Sequence, residues 1–428
     1  MKQRLILGTT VAIAMTAVAI TGTASHVSQS FAQSPPSSDL VTQNSPKELV
    51  DEVWQIVEQQ YIDTTFNGKD WKSVRQQYLS RSYASQEEAY KAIREMLGQL
   101  GDPLTRFMNP QDFRKVQMQT AGESTGAGVQ LIQDRRTKQL VVATPIEVAP
   151  AYKAGILPGD ILVKIDGEST QGLYSYEANT RTQGSVGTTV VLTVRRGQKE
   201  LEFKITREQL ESSPVRYRSQ KIPVGSIGYI RLSEFGANAA PQMRDAIKDL
   251  ERQQVAGYIL DLRTNSGGLL YSIFEIARMW LQEGTIASTF NRQGEIDRQQ
   301  ANQRVLTQKP LVILVNEATA SGSEILAAAL QDNQRAILVG VQTAGYNSIQ
   351  SVRGLGDGSG LAVTLAKWRT PKERDIDQLG ITPDVVVTLT QPQQEAMIRE
   401  RSAGTNADPQ YAKGVERLSQ LIQRNSQK

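Results

Sequence analysis

Apolar residues recur at different spacings along the chain, and the changes in spacing mark its main blocks. Between residues 45 and 120 the spacing is helical, with Val50, Val53 and Val57 on one face. Ser85 is followed three residues later by a glutamate, which is the pattern of a capping box and predicts the start of a further helix. We therefore expect an N-terminal helical region over residues 45–120.

Short β-rich runs, separated by Gly, Asp and Pro, replace the helical spacing over residues 121–207. The sequence APAYKAGILPGDILVKIDGE at 149–168, with a GAGV loop before it, resembles a PDZ domain. Such domains add an extended peptide to a sheet edge, and the resemblance implies that loop N–H groups hold the terminal carboxylate of that peptide. A small β domain without a ligand is the alternative. The loop residues are Gly126, Ala127, Gly128 and Val129.

Strands alternate with helices over residues 208–390, as in SIGYIRL followed by AAPQMRDAIKDL and VAGYILDL. The runs LVILVN, SEILAAAL, AILVG and LAVTLAKW continue this alternation, which predicts an α/β domain with a central sheet. Residues 391–428 form a polar tail in which 411–422 are amphipathic and predicted to be a helix.

The N-terminus has the pattern of a secretory signal peptide over residues 1–32. Lys2 and Arg4 precede an apolar stretch, and small residues follow at the positions that a signal peptidase reads. An uncleaved membrane anchor is the alternative. Residues 33–44 are rich in Pro and Ser and predict a linker. We expect an exported protein in the periplasm or thylakoid lumen, either free or associated with the membrane.

The amino-acid composition excludes several kinds of catalytic and metal site. The 428 residues include no cysteine and one histidine, His26, which lies before the expected cleavage point. A Ser-His-Asp triad, a Cys-His pair and an HExxH zinc site are therefore excluded from the mature chain. The net charge of +4 gives no indication of nucleic acid binding. No cofactor and no metal site are expected, and the oligomeric state stays open.

Ser321 lies between the predicted strand LVILVN and the predicted helix ILAAAL. With Glu324 it forms a capping-box pattern, which is a purely structural interpretation. A serine exposed on such a turn could also be a nucleophile, with the N–H of Gly322 directed at an oxyanion. Gly267, in the sequence Asn-Ser-Gly-Gly after another strand, could bring a second N–H close to a ligand.

Taken together, the motifs resemble those of the carboxyl-terminal processing peptidases, which are secreted serine proteases with an inserted PDZ domain. The similarity is greatest to the cyanobacterial and chloroplast branch, whose best-known task is trimming a photosystem II precursor. It implies an α/β catalytic core with a central sheet, an inserted β-rich PDZ domain and an N-terminal helical domain. The motifs are GDPLTRF (101–107), DLRTNSGGLL (261–270), VNEATASGSEILAAALQDNQRAILVG (315–340) and GITPDVVV (380–387).

The resemblance also implies roles for individual residues. Family members use a Ser-Lys dyad with a supporting glutamine, and the residues that match are Ser321 and Gln350. Gly267 and Gly322 match the oxyanion donors, and Glu324 matches an acidic residue near the nucleophile. The implied substrates are unfolded or extended protein C-termini, and a photosystem II precursor is a candidate among them.

The position of the family's lysine is occupied by Tyr346, in the sequence Thr-Ala-Gly-Tyr-Asn. Burial favours the neutral form of any group, which is the basic amine for lysine and the acidic phenol for tyrosine. A tyrosine in a dry pocket would therefore be a poor base. Three hypotheses remain open: an endopeptidase with another base, such as Lys367, Lys372 or a Tyr346 phenolate; a pseudo-peptidase that binds C-terminal tails; and a structural or assembly factor.

Asp261 and Arg263 could form a catalytic pair, although structural charges at a strand end are the commoner case.

Overall fold

The computed structural model describes residues 45–121, 123–133, 137, 139–145, 149–157, 159–173, 175–211, 214–400 and 402–426. The expected signal peptide at 1–32 and linker at 33–44 lie outside the described residues. Across the described segments, no helix has both the length and the apolar character that a membrane span requires.

Helices and strands are numbered in chain order. The helices are α1 (Pro46–Gln60), α2 (Trp71–Leu79), α3 (Gln86–Gly98), α4 (Pro110–Thr120), α5 (Pro150–Lys153), α6 (Ser175–Thr182), α7 (Ala239–Arg252), α8 (Leu270–Trp280), α9 (Gly322–Asp332), α10 (Gln391–Glu400) and α11 (Pro409–Ser426). The strands are β1 (Arg106–Met108), β2 (Glu123–Gly126), β3 (Val129–Gln133), β4 (Leu140–Pro145), β5 (Ile161–Ile165), β6 (Glu168–Ser169), β7 (Thr189–Arg196), β8 (Lys199–Thr206), β9 (Glu208–Glu211), β10 (Val215–Ile222), β11 (Gly225–Leu232), β12 (Tyr258–Asp261), β13 (Thr285–Asn291), β14 (Ile296–Gln300), β15 (Leu311–Val315), β16 (Ile337–Gly340), β17 (Ser348–Gly354), β18 (Gly360–Arg369) and β19 (Val385–Val386).

The N-terminal region consists of α1 to α3 with their apolar faces turned towards each other. α3 begins where the capping-box pattern predicted: Ser85 caps it by accepting a hydrogen bond from the Glu88 N–H, whereas the Glu88 carboxylate accepts from the Ala84 N–H. The shared core of these helices also includes Leu361 and Val363 of β18. Because β1 pairs with β18 as well, this region is joined to the second half of the chain by backbone hydrogen bonds.

The block at 121–207 contains a sheet with strand order β3-β4-β5-β7-β8, with β6 paired to β5. Alternate residues of these strands point into a small separate core that includes Leu131, Leu162, Leu192 and Ile205. β3 is an edge strand of this sheet, and α6 lies beside it. This arrangement leaves a groove between a strand edge and a helix.

The central sheet has the order β10-β11-β12-β15-β16-β19, and all neighbouring pairs from β11 onward are parallel. β12 and β15 are buried along their whole length, as continuous apolar strands covered on both faces should be. One face packs against α7, α8 and α9, and the other packs against α11.

LAVTLAKW does not belong to this central sheet, so its assignment to the alternating pattern was wrong. It forms β18 of a second sheet with the order β1-β18-β13-β14, to which β17 is added through β18. An apolar run that forms one strand looks the same in the sequence whichever sheet it joins. Only its pairing with strands that are distant in the chain distinguishes the two cases.

The segment after residue 391 is packed on the core. The helix expected at 411–422 lies within α11, and the helix buries Tyr411, Leu418 and Ile422 against the central sheet. A buried ion cluster fixes its start, because the Arg263 guanidinium contacts the carboxylates of both Asp261 and Asp408 at 2.7 Å. Asp261 and Arg263 are therefore structural charges, as the simpler interpretation expected.

Candidate active site

Three neighbouring parallel strands end at one edge of the central sheet and carry the candidate residues there. The loop after β12 contains Gly267, the loop after β15 contains Ser321, and the loop after β16 contains Tyr346. Backbone bonds tie the loops together: the Ala320 N–H donates to the Asn265 carbonyl, and the Ala344 N–H donates to the Thr319 carbonyl, each at 3.0 Å. The carboxyl edge of a parallel sheet is the usual place for a binding crevice in such folds.

Ser321 is the N-cap residue of α9, and its backbone is strained. Its φ of 51° and ψ of −114° are unusual for a residue with a side chain. Such conformations cost on the order of 1–3 kcal/mol and cluster at functional sites. The residue is half-buried at the start of an otherwise buried helix. This is the turn between strand and helix on which a nucleophile would be presented.

Gly267 and Gly322 come into close contact beside Ser321. A Cβ atom on Gly267 would lie 2.8 Å from the Gly322 nitrogen and 3.2 Å from the Ser321 Cβ, at a φ of 102°. Glycine is therefore required for this approach. The Gly267 N–H donates to Asn265 Oδ1 at 2.9 Å, so one of the two expected oxyanion donors is already bonded. Within the described part of the chain, the Gly322 N–H has no acceptor.

Glu324 connects the serine turn to the loop that contains Tyr346. Its Oε2 accepts from the N–H groups of Ser321 at 2.8 Å and Tyr346 at 2.9 Å. Its Oε1 accepts from the Gly345 N–H at 2.7 Å and from the Thr343 hydroxyl. Burial raises the pKa of Glu324, and these hydrogen bonds oppose the rise. The carboxylate thus fixes the separation of the two loops.

Tyr346 does not lie in a dry pocket, and that expectation was wrong. The residue as a whole is 52% exposed, and its carbonyl oxygen accepts from the buried Trp368 Nε1 at 3.3 Å. The backbone is held in place while the side chain points to solvent.

The other expected participants are engaged elsewhere. Gln350 is buried, and its amide donates to the Leu104 carbonyl and accepts from Arg106 at 3.5 Å, so it joins the site to the segment before β1. Lys367 Nζ forms an ion pair with Asp377 at 3.0 Å. Lys372 is exposed and contacts Asp332 through its backbone N–H.

The PDZ loop is a second candidate site. The Ala127 N–H donates to the Thr182 carbonyl at 3.1 Å, and Gly126 forms a bridge with Gln183. A Cβ on Gly128 would lie 2.2 Å from the Ala149 Cβ, at a φ of 75°, so glycine is required there. No described residue accepts from the Gly128 N–H. Val129 begins β3.

Arg207 is a buried cation next to this loop, and the sequence alone did not single it out. Its guanidinium donates to the Thr182 carbonyl at 3.2 Å, the same oxygen that accepts from Ala127. Its further described partners are two carbonyls and a hydroxyl, with no carboxylate among them.

The sequence analysis also did not identify Thr343 and Asn265 as residues of the Ser321 site, although each stands within two or three residues of a position that the motifs did identify.

Comparison with known proteins agrees with this architecture. The model of Peptidase family S41 matches residues 226–387, a PDZ domain model matches 125–206, and the Tricorn protease C1 domain model matches 43–98. Among curated relatives, the chain is 44% identical over 376 residues to a carboxyl-terminal-processing protease of Synechocystis sp., covering 87% of each chain.

Two further similarities point the same way. Carboxyl-terminal-processing peptidase 2 of Arabidopsis thaliana chloroplasts is 40% identical over 400 residues, covering 91% of this chain and 76% of the relative. A solved photosystem II D1 C-terminal processing protease is 34% identical with a TM-score of 0.64, covering 86% of this chain and all of that one. This chain belongs to the carboxyl-terminal processing peptidases of family S41, which are serine-type peptidases.

Proposed function

We propose that this chain binds the C-terminal tails of exported proteins through its PDZ domain and presents them to a Ser321 site in which hydrolysis is strongly slowed. The observation that carries the proposal is the exposed Tyr346 side chain at the position where the family resemblance expects a lysine. Losing general-base assistance costs on the order of 10²–10⁴ in rate.

Tail binding is supported by the chemistry around the PDZ loop. The Gly128 N–H, which has no acceptor among the described residues, and the nearby Arg207 charge, which has no carboxylate partner among its described contacts, both favour an incoming carboxylate. Because one similar structure is named for photosystem II D1 processing, the D1 C-terminal tail is the first substrate to test.

A second candidate function is slow but genuine endopeptidase activity. It is favoured by the contact of Gly267 with Gly322 and by the Glu324 hydrogen bonds, which hold the proposed nucleophile beside the Gly322 N–H, for which the described residues offer no acceptor. An oxyanion donor contributes to the rate even without a base.

Cleavage of an unfolded substrate with an apolar C-terminus separates the two candidates. We expect little cutting by the wild type and a gain on the order of 10² or more in Tyr346→Lys. The gain should be larger at pH 9 than at pH 7, because a half-exposed lysine is mostly protonated at neutral pH. Tyr346→Arg is the matched control, since it adds a charge that cannot lose its proton.

Ser321→Ala in the Tyr346→Lys background must abolish the gained activity if Ser321 is the nucleophile. If the wild type cleaves the substrate as fast as Tyr346→Lys, the proposal of a strongly slowed site is wrong and the second candidate function is supported. Tail binding is measured in parallel with a labelled peptide carrying a free carboxylate and with its carboxamide. Failure of both peptides to bind would overturn the proposed tail recognition and leave an assembly role.

We also propose export to the periplasm or thylakoid lumen, on the basis of the signal pattern at 1–32. N-terminal sequencing of the protein recovered from cells tests this directly. A start near residue 33 is expected, and an intact Met1 in a soluble fraction would contradict it.

A further inference from the structure

The outer edge of β3 is where a peptide would add to the PDZ sheet, and a side chain of the same domain occupies it. Among the described strands, β3 pairs with β4 alone, and α6 lies along its other side. From α6, Asn179 Oδ1 accepts from the Leu131 N–H at 2.9 Å, and Asn179 Nδ2 donates to the Leu131 carbonyl at 3.1 Å. Both backbone groups of Leu131 are therefore already bonded.

The two hydrogen bonds between Asn179 and Leu131 resemble the pair that two residues exchange in a β-sheet. A carboxamide carries the same N–H donor and carbonyl acceptor as a peptide group. An added peptide strand would use the outward N–H and carbonyl of the edge residue in the same paired fashion. Asn179 and a peptide ligand thus compete for the same two groups of Leu131.

We propose that Asn179 closes the ligand edge of β3 as an internal competitor and so sets the affinity of the PDZ groove for extended peptides with a free C-terminus. The proposal rests on the proposed tail binding and adds its regulation. When a tail binds, its backbone takes over the hydrogen bonds to Leu131, and the half-buried Asn179 amide turns towards water.

The end of α6 is held by other contacts, so opening requires a side-chain movement only. The Thr182 carbonyl accepts from Ala127 and from Arg207, and the Arg181 carbonyl also accepts from Arg207 at 3.1 Å. These bonds do not involve Asn179. The helix therefore stays beside the carboxylate-binding loop when Asn179 releases Leu131.

The test compares full-length wild type with Asn179→Ala, using fluorescence polarisation of a labelled, unstructured peptide with an apolar C-terminal residue. We expect roughly 5- to 100-fold tighter binding by the variant, because two neutral hydrogen bonds no longer compete. The carboxamide form of the peptide should bind weakly to both proteins. Alanine raises helix propensity at an α6 position, which favours folding of the variant.

Hydrogen exchange at the Leu131 amide provides a second measurement. It should be slow in the free wild type, faster in free Asn179→Ala, and slow again in the variant with bound peptide. Equal or weaker peptide affinity in Asn179→Ala overturns the proposal while leaving tail binding intact. Absence of binding by both proteins overturns this proposal together with the proposed function, so the two failures are distinguishable.

Discussion

The Glu324 carboxylate gives the sharpest quantitative prediction about the candidate active site. Glu324→Gln keeps the size and shape of the side chain and replaces one acceptor oxygen with an NH₂ group. Each oxygen now accepts from two donors: Ser321 and Tyr346 bond to one, Gly345 and Thr343 to the other. Whichever way the amide points, two of these hydrogen bonds are lost, and the Thr343 hydroxyl is the one group of the four that can accept from the new NH₂ group in return.

Hydrogen bonds to a charged group contribute about 1.5–3 kcal/mol each, so the gross loss is about 3–6 kcal/mol. Relief from burying a charge offsets part of this, since burial already raises the pKa of Glu324. We expect a net loss of stability of about 2–4 kcal/mol, which is large for one substitution. The turn at Ser321 should loosen as well, because its strained backbone depends on these bonds.

Urea denaturation followed by tryptophan fluorescence measures the loss. Glu317→Gln is the matched control, since it makes the same chemical change at an exposed position of the same loop and should stay within about 0.5 kcal/mol of the wild type. Peptide binding by the PDZ domain should be unaffected in both variants. If Glu324→Gln is as stable as Glu317→Gln, the carboxylate does not hold the two loops together.

Two further predictions concern charged residues near the site. Burial would raise the pKa of Asp261, but Arg263 lowers it to about 2, below the ordinary value of an aspartate, so its ionised form contributes about 2 kcal/mol above pH 4 that is lost as the pH falls towards 2. The difference in free energy of unfolding between the wild type and Asp261→Asn, measured by urea titration, should therefore shrink by that amount between pH 5 and pH 2. If the stabilities of the two proteins change equally with pH, this prediction is wrong. Lys367→Met should leave any residual cleavage rate within twofold of the wild type, because the amine is paired with Asp377. A tenfold loss in the substrate assay would instead identify Lys367 as the base.

Short-range sequence patterns predicted much of where the candidate active site lies in the fold. Apolar runs joined by helices predict a parallel sheet, and the carboxyl ends of neighbouring strands in such a sheet meet at one edge. The approach of Gly267 to Ser321 is therefore implied once β12 and β15 are neighbours. The same reasoning failed for LAVTLAKW, because an apolar strand carries no local mark of the sheet in which it pairs.

The sequence by itself determined the α/β core, the PDZ block, the capped helix at Ser321 and the absence of histidine and cysteine from the described chain. Each of these depends on residue type and short-range spacing. Only the tertiary structure decided that the Tyr346 side chain faces solvent, that Lys367 is paired, and that Asn179 occupies the edge of β3. Exposure and hydrogen-bond partners depend on residues far apart in the chain, and no local pattern encodes which of them the folded backbone brings together.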